Sequence, residues 1–222
     1  MTTRTVIKLL VAFAIVTLWA SAGSAATITF TGVNGLSDGV DFVGPYYLQI
    51  NGSIFPAMCY DFAHFVAIGQ VWEANLLGSQ HLAASYYSDQ WDYENNYLKV
   101  AWLFTQLLTP ADSGAQIAIQ HAAWSLFNPE PFREDLPAAA WRAAAQAAQE
   151  HGFAGLDFTT FRFLESPPGE IPVQGLVVGG FASENPQSAP GSGMGGSTPE
   201  PEALVMMGSG LLLLGLVHFR RR

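Results

Sequence analysis

Tyr46-Tyr47-Leu48-Gln49-Ile50, followed by Asn51-Gly52 and then Ser53-Ile54-Phe55, reads as a β-hairpin. Two runs of aromatic and β-branched residues are joined by a dipeptide suited to positive φ at both positions, as a two-residue type I′ turn requires. Upstream, the chain from Thr27 is rich in Gly and in β-branched or aromatic residues, and Val33-Asn34-Gly35 is a further turn signal, so the N-terminal part is expected to be sheet. Downstream the apolar period becomes helical. Leu98, Ala101, Trp102 and Thr105 place a helix over Asn95–Leu108, with Pro110 just beyond its end. Asp112 and Ser113 can cap a second helix that runs to Phe127 and is stopped by Asn128-Pro129. A third is expected from Pro137 to His151, with Pro137 in its first turn and Gly152 at its C-cap. Strand is expected again over Leu156–Leu164, where Phe158, Thr160 and Arg162 alternate with Asp157, Thr159, Phe161 and Phe163, and over Ile171–Val178. Helices inserted between blocks of strand, with the last strands free to rejoin the first sheet, predict an α+β fold: a barrel-like sheet part and an inserted helical part.

The ends of the chain carry a different message. Arg4 and Lys8 precede an apolar run from Leu9 to Ala20, which gives way to Ser21-Ala22-Gly23-Ser24-Ala25-Ala26. A cationic start, a short apolar stretch and a small-residue exit predict a secretory signal peptide over residues 1–25, cleaved after Ala25 or Ala26. The alternative, a first transmembrane helix, wants roughly 20 apolar residues. At the other end Pro199-Glu200-Pro201 precedes an apolar run from Ala203 to Phe219, and the chain ends in Arg220, Arg221 and Arg222. Such a run closed by arginines predicts a stop-transfer helix with the cationic cluster on the cytoplasmic side. Between the ends, residues 26–180 make one domain of ordinary length, and 181–198 form a Gly/Ser/Pro linker.

The C-terminal segment, residues 199–222, resembles the PEP-CTERM sorting signal of Gram-negative bacteria that make exopolysaccharide. That resemblance implies an exosortase that recognises Pro199, Glu200 and Pro201 and cuts near them. It implies a chain held at the inner membrane before processing and then released or re-attached at the cell surface or in the extracellular matrix. A permanent C-terminal anchor is the alternative, and it places the domain outside the cytoplasm equally.

Charge narrows the partners. Of 18 acidic residues only Glu202 lies outside residues 26–201, and of nine basic residues only Lys99, Arg133, Arg142 and Arg162 lie within them, a balance near −13. Nucleic acid is therefore not expected as a partner. Carbohydrate, a cell surface or cations suit an acidic, aromatic-rich exterior domain. Six Trp, seven Tyr and 15 Phe supply a core without disulfides. Cys59 is the single cysteine, and an unpaired thiol outside the cytoplasm needs to be buried, metal-bound or chemically used.

Cys59 follows a predicted strand in Ala57-Met58-Cys59-Tyr60-Asp61-Phe62. On the second helix, at about 100° per residue, Gln116, Ile117, Ala123, Trp124 and Phe127 lie within about 60° of Gln120, whereas His121, Ser125 and Ala118 lie opposite. Gln120 therefore sits mid-way across the apolar face, where its amide must find partners. A thiol and a carboxamide in one core can condense to a thioester with loss of ammonia. Cys59-Tyr60-Asp61 and Gln120-His121-Ala122-Ala123-Trp124 resemble the two signatures of bacterial thioester domains, over residues from about 44 to 128. The resemblance implies Cys59 as the sulfur and Gln120 as the acyl donor of a bond that amines on another surface attack. Ala123 stands where that family usually has Ile, and Met58 where an aromatic is common. Gly44-Pro45-Tyr46, the Cys-Tyr-Asp segment and Gly69-Gln70-Val71-Trp72 also resemble a family of PEP-CTERM proteins, a likeness that names no activity. His64 and His121 are candidate assisting bases, His121 the weaker because it falls on the polar side.

Other readings stay open beside this one. An inert Cys59 is a small buried hydrophobe. A cysteine hydrolase from Cys59 with Asp61 and His64 or His121 needs a reachable, low-pKa thiolate, and Cys59 lies in an apolar stretch without a nucleophile motif. His64, His81 and His121 lack metal-ligand spacing, and no cofactor is called for. Tyr86, Tyr87, Trp91, Tyr93 and Tyr97, interleaved with Asp89, Asp92, Glu94 and Asn95, can stack on sugar through Trp91 and Tyr93 or form a lid on the core. The sequence thus predicts a non-enzymatic surface or exopolysaccharide-matrix protein. It is either a covalent adhesin or a non-covalent structural or carbohydrate-binding component.

Overall fold

Asn51 and Gly52 have φ of 49° and 86°, so both turn residues take the left-handed conformation that a two-residue hairpin demands. In the computed structural model, which describes residues 24–109, 112–167, 169–170 and 172–181, this turn joins strands β2 (Tyr46–Ile50) and β3 (Ser53–Cys59). Before them lies β1 (Ser24–Val33); after them come β4 (Val71–Leu77), β5 (Arg162–Glu165) and β6 (Leu176–Val178). The six close into an antiparallel barrel in the order β1-β2-β3-β6-β5-β4. Closure leaves no open sheet edge. Between β4 and β5 the chain forms helices α1 (Tyr93–Leu108), α2 (Ser113–Ser125) and α3 (Leu136–Glu150). The expected α+β arrangement, with returning C-terminal strands beside an inserted helical part, is what the chain adopts.

Local chemistry sets the helix ends. Asp112 accepts from Ala115 N and Asp135 from Ala138 N, so each side chain satisfies one of the amides left over at a helix start. Gly152, at φ 66°, follows the end of α3 as expected. Three readings need correction. The alternating stretch from Leu156 to Phe161 is not strand, because Asp157 accepts from Thr159 N and Thr159 Oγ1 and winds Phe158–Thr160 into a 3₁₀ turn. Strand there begins only at Arg162. The last strand is shorter than Ile171–Val178, starting at Leu176. Val71–Leu77 is a strand that periodicity did not single out, since Val71, Ala74, Leu76 and Leu77 do not alternate cleanly with its polar residues.

Two cores lie on opposite faces of the same strands. Ile28, Phe30, Leu48, Ile50, Ala57, Cys59, Leu76, Leu164, Leu176 and Val178 fill one, which successive side chains on a pleated strand place inside the barrel. Met58, Tyr60, Phe163 and Val177, from the other face, pack with Tyr97, Leu103, Phe104, Leu107, Ile119 and Ala123 of the helices. This explains why every residue of β5 and β6 is buried, whereas β2 alternates buried and exposed.

β1 begins at Ser24 and contains the expected cleavage positions: Ala25 faces Asn75 and Ala26 faces Ala74. A cut after Ala25 or Ala26 leaves Thr27–Thr29 paired with Glu73–Val71 and keeps Ile28 in the barrel. Residues 1–23, the linker from 182, Pro199-Glu200-Pro201, the C-terminal apolar run and Arg220–Arg222 lie outside the described residues. Among the described residues no helix is long and apolar enough to cross a membrane.

The contact between Gly175 and Tyr60 tests this packing. A Cβ at Gly175 would lie 2.7 Å from Tyr60 Cε2, and Tyr60 is wholly buried. Gly175→Ala is expected to lower stability by about 1–3 kcal/mol in urea denaturation, the cost of overpacking a filled core. An unchanged midpoint would mean that the Tyr60 ring has room to yield.

Candidate functional site

Cys59, the last residue of β3, points into the barrel and is wholly buried. Its thiol donates to the Asp61 carbonyl and accepts from the Trp124 indole N–H, both at 3.1 Å. Burial raises the thiol pKa well above its ordinary value, and the Trp124 hydrogen bond offsets only part of that effect. The neutral thiol is the resting form. A hydrolase needs the opposite, a lowered pKa and an open approach.

Gln120 is 0 % exposed, and α2 aims its carboxamide at the same strand. Nε2 donates to the Cys59 carbonyl at 2.5 Å, and Oε1 accepts from Gly44 N at 3.2 Å. The structure thus brings the two residues of the expected pair together, with Trp124, one helical turn after Gln120, against the sulfur. Gly44 fits closely: a Cβ there would meet Leu107 Cδ2 at 3.0 Å and Gln120 Oε1 at 3.1 Å. The expected polar face of α2 needs correction, since Ala118 and Ser125 are also buried. With α1 and α3 packed against it, α2 has little outer face. Ser125 Oγ is satisfied there by donating to the Ala122 carbonyl and accepting from Arg142 Nη1.

Neither candidate histidine has a bond to Cys59. His64 Nδ1 lies 2.6 Å from Asp61 Oδ2. His121 Nδ1 and Nε2 lie 2.6 and 2.9 Å from Asp135 Oδ2 and Asp38 Oδ2, and its ring stacks on Trp124 with centroids 5.5 Å apart. Burial alone would raise the Asp38 and Asp135 carboxyls, but backbone amides and His121 outweigh it and hold both below the usual range. His121 therefore braces the Asp38 loop against the start of α3 and steadies the outer side of Trp124. Asp38 and Asp135 were not singled out from the sequence. Asp135 had a signal, an Asp before Leu136-Pro137 at a helix start.

The aromatic run divides. Tyr87 and Tyr97 are buried in the helical core, Tyr93 is half-buried against it, and Trp91 is 94 % exposed. Trp91 and Tyr93 therefore do not form one exposed platform. Among the described residues no cluster of three or more His, Cys, Asp or Glu side chains is arranged to hold a metal ion. No family model, curated protein or solved structure matches this chain.

The amide bridge makes a stability prediction. Gln120→Leu strands Gly44 N–H and the Cys59 carbonyl in a dry core, at about 1–3 kcal/mol for each group left unpaired. Cys59→Ala leaves both bonds intact and strands one group instead of two, the Trp124 indole N–H that the sulfur accepts from. In urea denaturation of the two variants Gln120→Leu is expected to be the less stable; the reverse order would show that the bridge contributes little.

Proposed function

We propose that this chain is an exported surface or matrix protein whose barrel domain forms an internal thioester between Cys59 and Gln120 and bonds covalently to amines. The observation that carries the reading is the Gln120 carboxamide held on Cys59 itself, with a donor on its oxygen. In the reaction Cys59 Sγ attacks Gln120 Cδ, the C–N bond breaks, and the thiol proton leaves with Nε2 as ammonia. As negative charge grows on Oε1, the Gly44 N–H is already directed at it. Because burial keeps the thiol protonated, the proton must move in step with the attack. An incoming primary amine then takes the acyl group as an amide and returns the proton to sulfur.

Both partners are buried, so the acceptor must approach past their cover. A cavity of about 100 Å³ lined by Phe30, Asp41, Tyr46, Phe62, Trp124 and Gln174 reaches the indole that holds the sulfur. It supports the reading by bringing solvent to the Trp124 side of the pair. Residues 1–25 and 199–222 add the export route: a secretory signal, then recognition of Pro199-Glu200-Pro201 by an exosortase and a membrane stop at Arg220–Arg222. On this reading the domain works at the surface or in the exopolysaccharide matrix of a Gram-negative cell.

A second reading, a non-covalent carbohydrate-binding matrix protein with an inert core, draws on Trp91, whose nearly complete exposure is unusual for so large an apolar ring. Trp91→Ala should reduce retention on exopolysaccharide in a pull-down if this reading is right, and undiminished retention removes it. The thioester reading is tested by the intact mass of the non-reduced protein beside its Cys59→Ala variant. The expected result is a wild type short by one ammonia, a full-mass variant, and a thiol that becomes titratable only after methylamine. A full mass with a thiol titratable on denaturation alone excludes the bond.

A further inference from the structure

On the helical face of β3, away from Cys59, a cavity of about 370 Å³ is lined by Asp61, His64, Ser85, Tyr86, Tyr87 and Glu165 among others. None of the described residues lining it is a Lys or Arg. Two of the three carboxylates that line it, Asp61 and Glu165, are held in place. Asp61 Oδ1 accepts from Tyr87 Oη at 2.7 Å and Ala63 N at 2.9 Å, and its Oδ2 faces His64 Nδ1 at 2.6 Å and Gly175 N at 3.4 Å. Glu165 Oε1 accepts from Tyr60 Oη at 2.8 Å and from Tyr97 Oη; Oε2 accepts from Tyr86 N at 2.6 Å and keeps one lone pair free.

Ser85 supplies a separate observation. It is 5 % exposed, and its Oγ makes no hydrogen bond of normal geometry, although the hydroxyl lies near enough to the Tyr97 phenol to act on it. A buried hydroxyl at a cavity wall without a partner is a rare and costly state, and a ligand is one way to satisfy it. The next residue in the chain, Tyr86, bonds Glu165 Oε2, so the vacant hydroxyl and the vacant lone pair belong to neighbouring positions.

We propose that this cavity binds a small organic cation, a primary ammonium whose N–H groups reach Ser85 Oγ and Glu165 Oε2 and whose charge is met by Glu165, Asp61 and the tyrosine rings. The ammonium brings donors and no acceptor, as an acceptor hydroxyl and a carboxylate lone pair require. Tyr60, Tyr86 and Tyr87 also line the cavity, and their ring faces attract cations. Burial, the largest influence on Glu165, pushes its carboxyl above the usual range in spite of its three donors; a cation beside it relieves part of that cost. The volume lies within the usual size of small-molecule sites. The site does not depend on the thioester reading, because Asp61 meets the Cys59 thiol only through its backbone carbonyl and its carboxylate stays bonded to Tyr87, Ala63 and His64 on the cavity side.

The test is titration of the full chain with n-butylammonium chloride, with n-butanol and glucose as neutral probes, followed by calorimetry at low and high salt. Saturable binding of n-butylammonium alone is expected, weakened at least tenfold by Glu165→Gln, several-fold by Ser85→Ala, and by added salt. Should Glu165→Gln fail to fold, Ser85→Ala, which removes one unpartnered hydroxyl, carries the test with circular dichroism as the folding control. No saturable binding, equal binding of n-butanol, binding of glucose instead, or undiminished affinity in Ser85→Ala overturns the proposal. Cys59→Ala should bind n-butylammonium as the wild type does, whatever its mass shows about the thioester.

Discussion

A carboxamide cannot be left in a dry core with its hydrogen bonds unmade, and Gln120 meets that constraint by reaching from a helix to two separate segments of the barrel domain. One end of its amide takes the N–H of Gly44, just before β2, and the other gives to the carbonyl of Cys59, at the end of β3. The bridge fixes the rotation of α2 about its own axis. With that rotation set, Trp124 enters the barrel cluster and lies against the Cys59 sulfur, while Ile119, Ala122 and Ala123 face the second core. Gly44 has to be small for the amide to come this close. An arrangement that is good for holding a helix on a barrel also holds the Gln120 carboxamide against the backbone of Cys59.

The strand that carries Cys59 separates two environments. Ala57 and Cys59 face an apolar interior in which a thiolate is disfavoured; Met58 and Tyr60 face the helices, and beyond Tyr60 lies a network of phenols, carboxylates and a histidine. Asp61 belongs to both sides, its carbonyl accepting from the Cys59 thiol and its carboxylate from Tyr87. Polar groups crowd here because β3 ends and the barrel wall gives way to loops. A buried carboxylate is tolerable only if enough donors surround it, and Tyr60, Tyr97 and the Tyr86 amide supply them for Glu165.

Much of this was legible in the sequence where one local rule governs. The Asn51-Gly52 turn, the capped start of a helix at Asp112 and the burial of Gln120 each follow from a few neighbouring residues. One failure is itself local: the Leu156–Phe161 stretch alternates like a strand, yet the Asp157 side chain, bonded two residues on to Thr159, holds it in a turn. The other failures fall where distant contacts decide. Ala118 and Ser125 look solvent-facing on a helical wheel, but both are buried, Ser125 bonded to Arg142 of α3, and no local pattern announces a helix with neighbours on several sides. Glu165 was invisible because its partners, Tyr60, Tyr86 and Tyr97, lie 105, 79 and 68 residues away.

The lone cysteine follows from these surroundings. A free thiol is a hazard in proportion to its thiolate fraction and its reach. Burial inside a closed barrel removes the reach, and the raised pKa removes the thiolate. That protection serves an inert cysteine and a thioester sulfur equally, because an acyl sulfur must also be kept from water until its intended acceptor arrives. What separates the two is the group placed next to the sulfur. An inert thiol in an apolar barrel is best surrounded by hydrocarbon. Here the sulfur meets an indole N–H, and a primary amide is bonded to the cysteine's own carbonyl. Keeping a carboxamide there carries a desolvation cost, and its bonds to the Gly44 N–H and the Cys59 carbonyl, which a leucine would leave stranded, offset it.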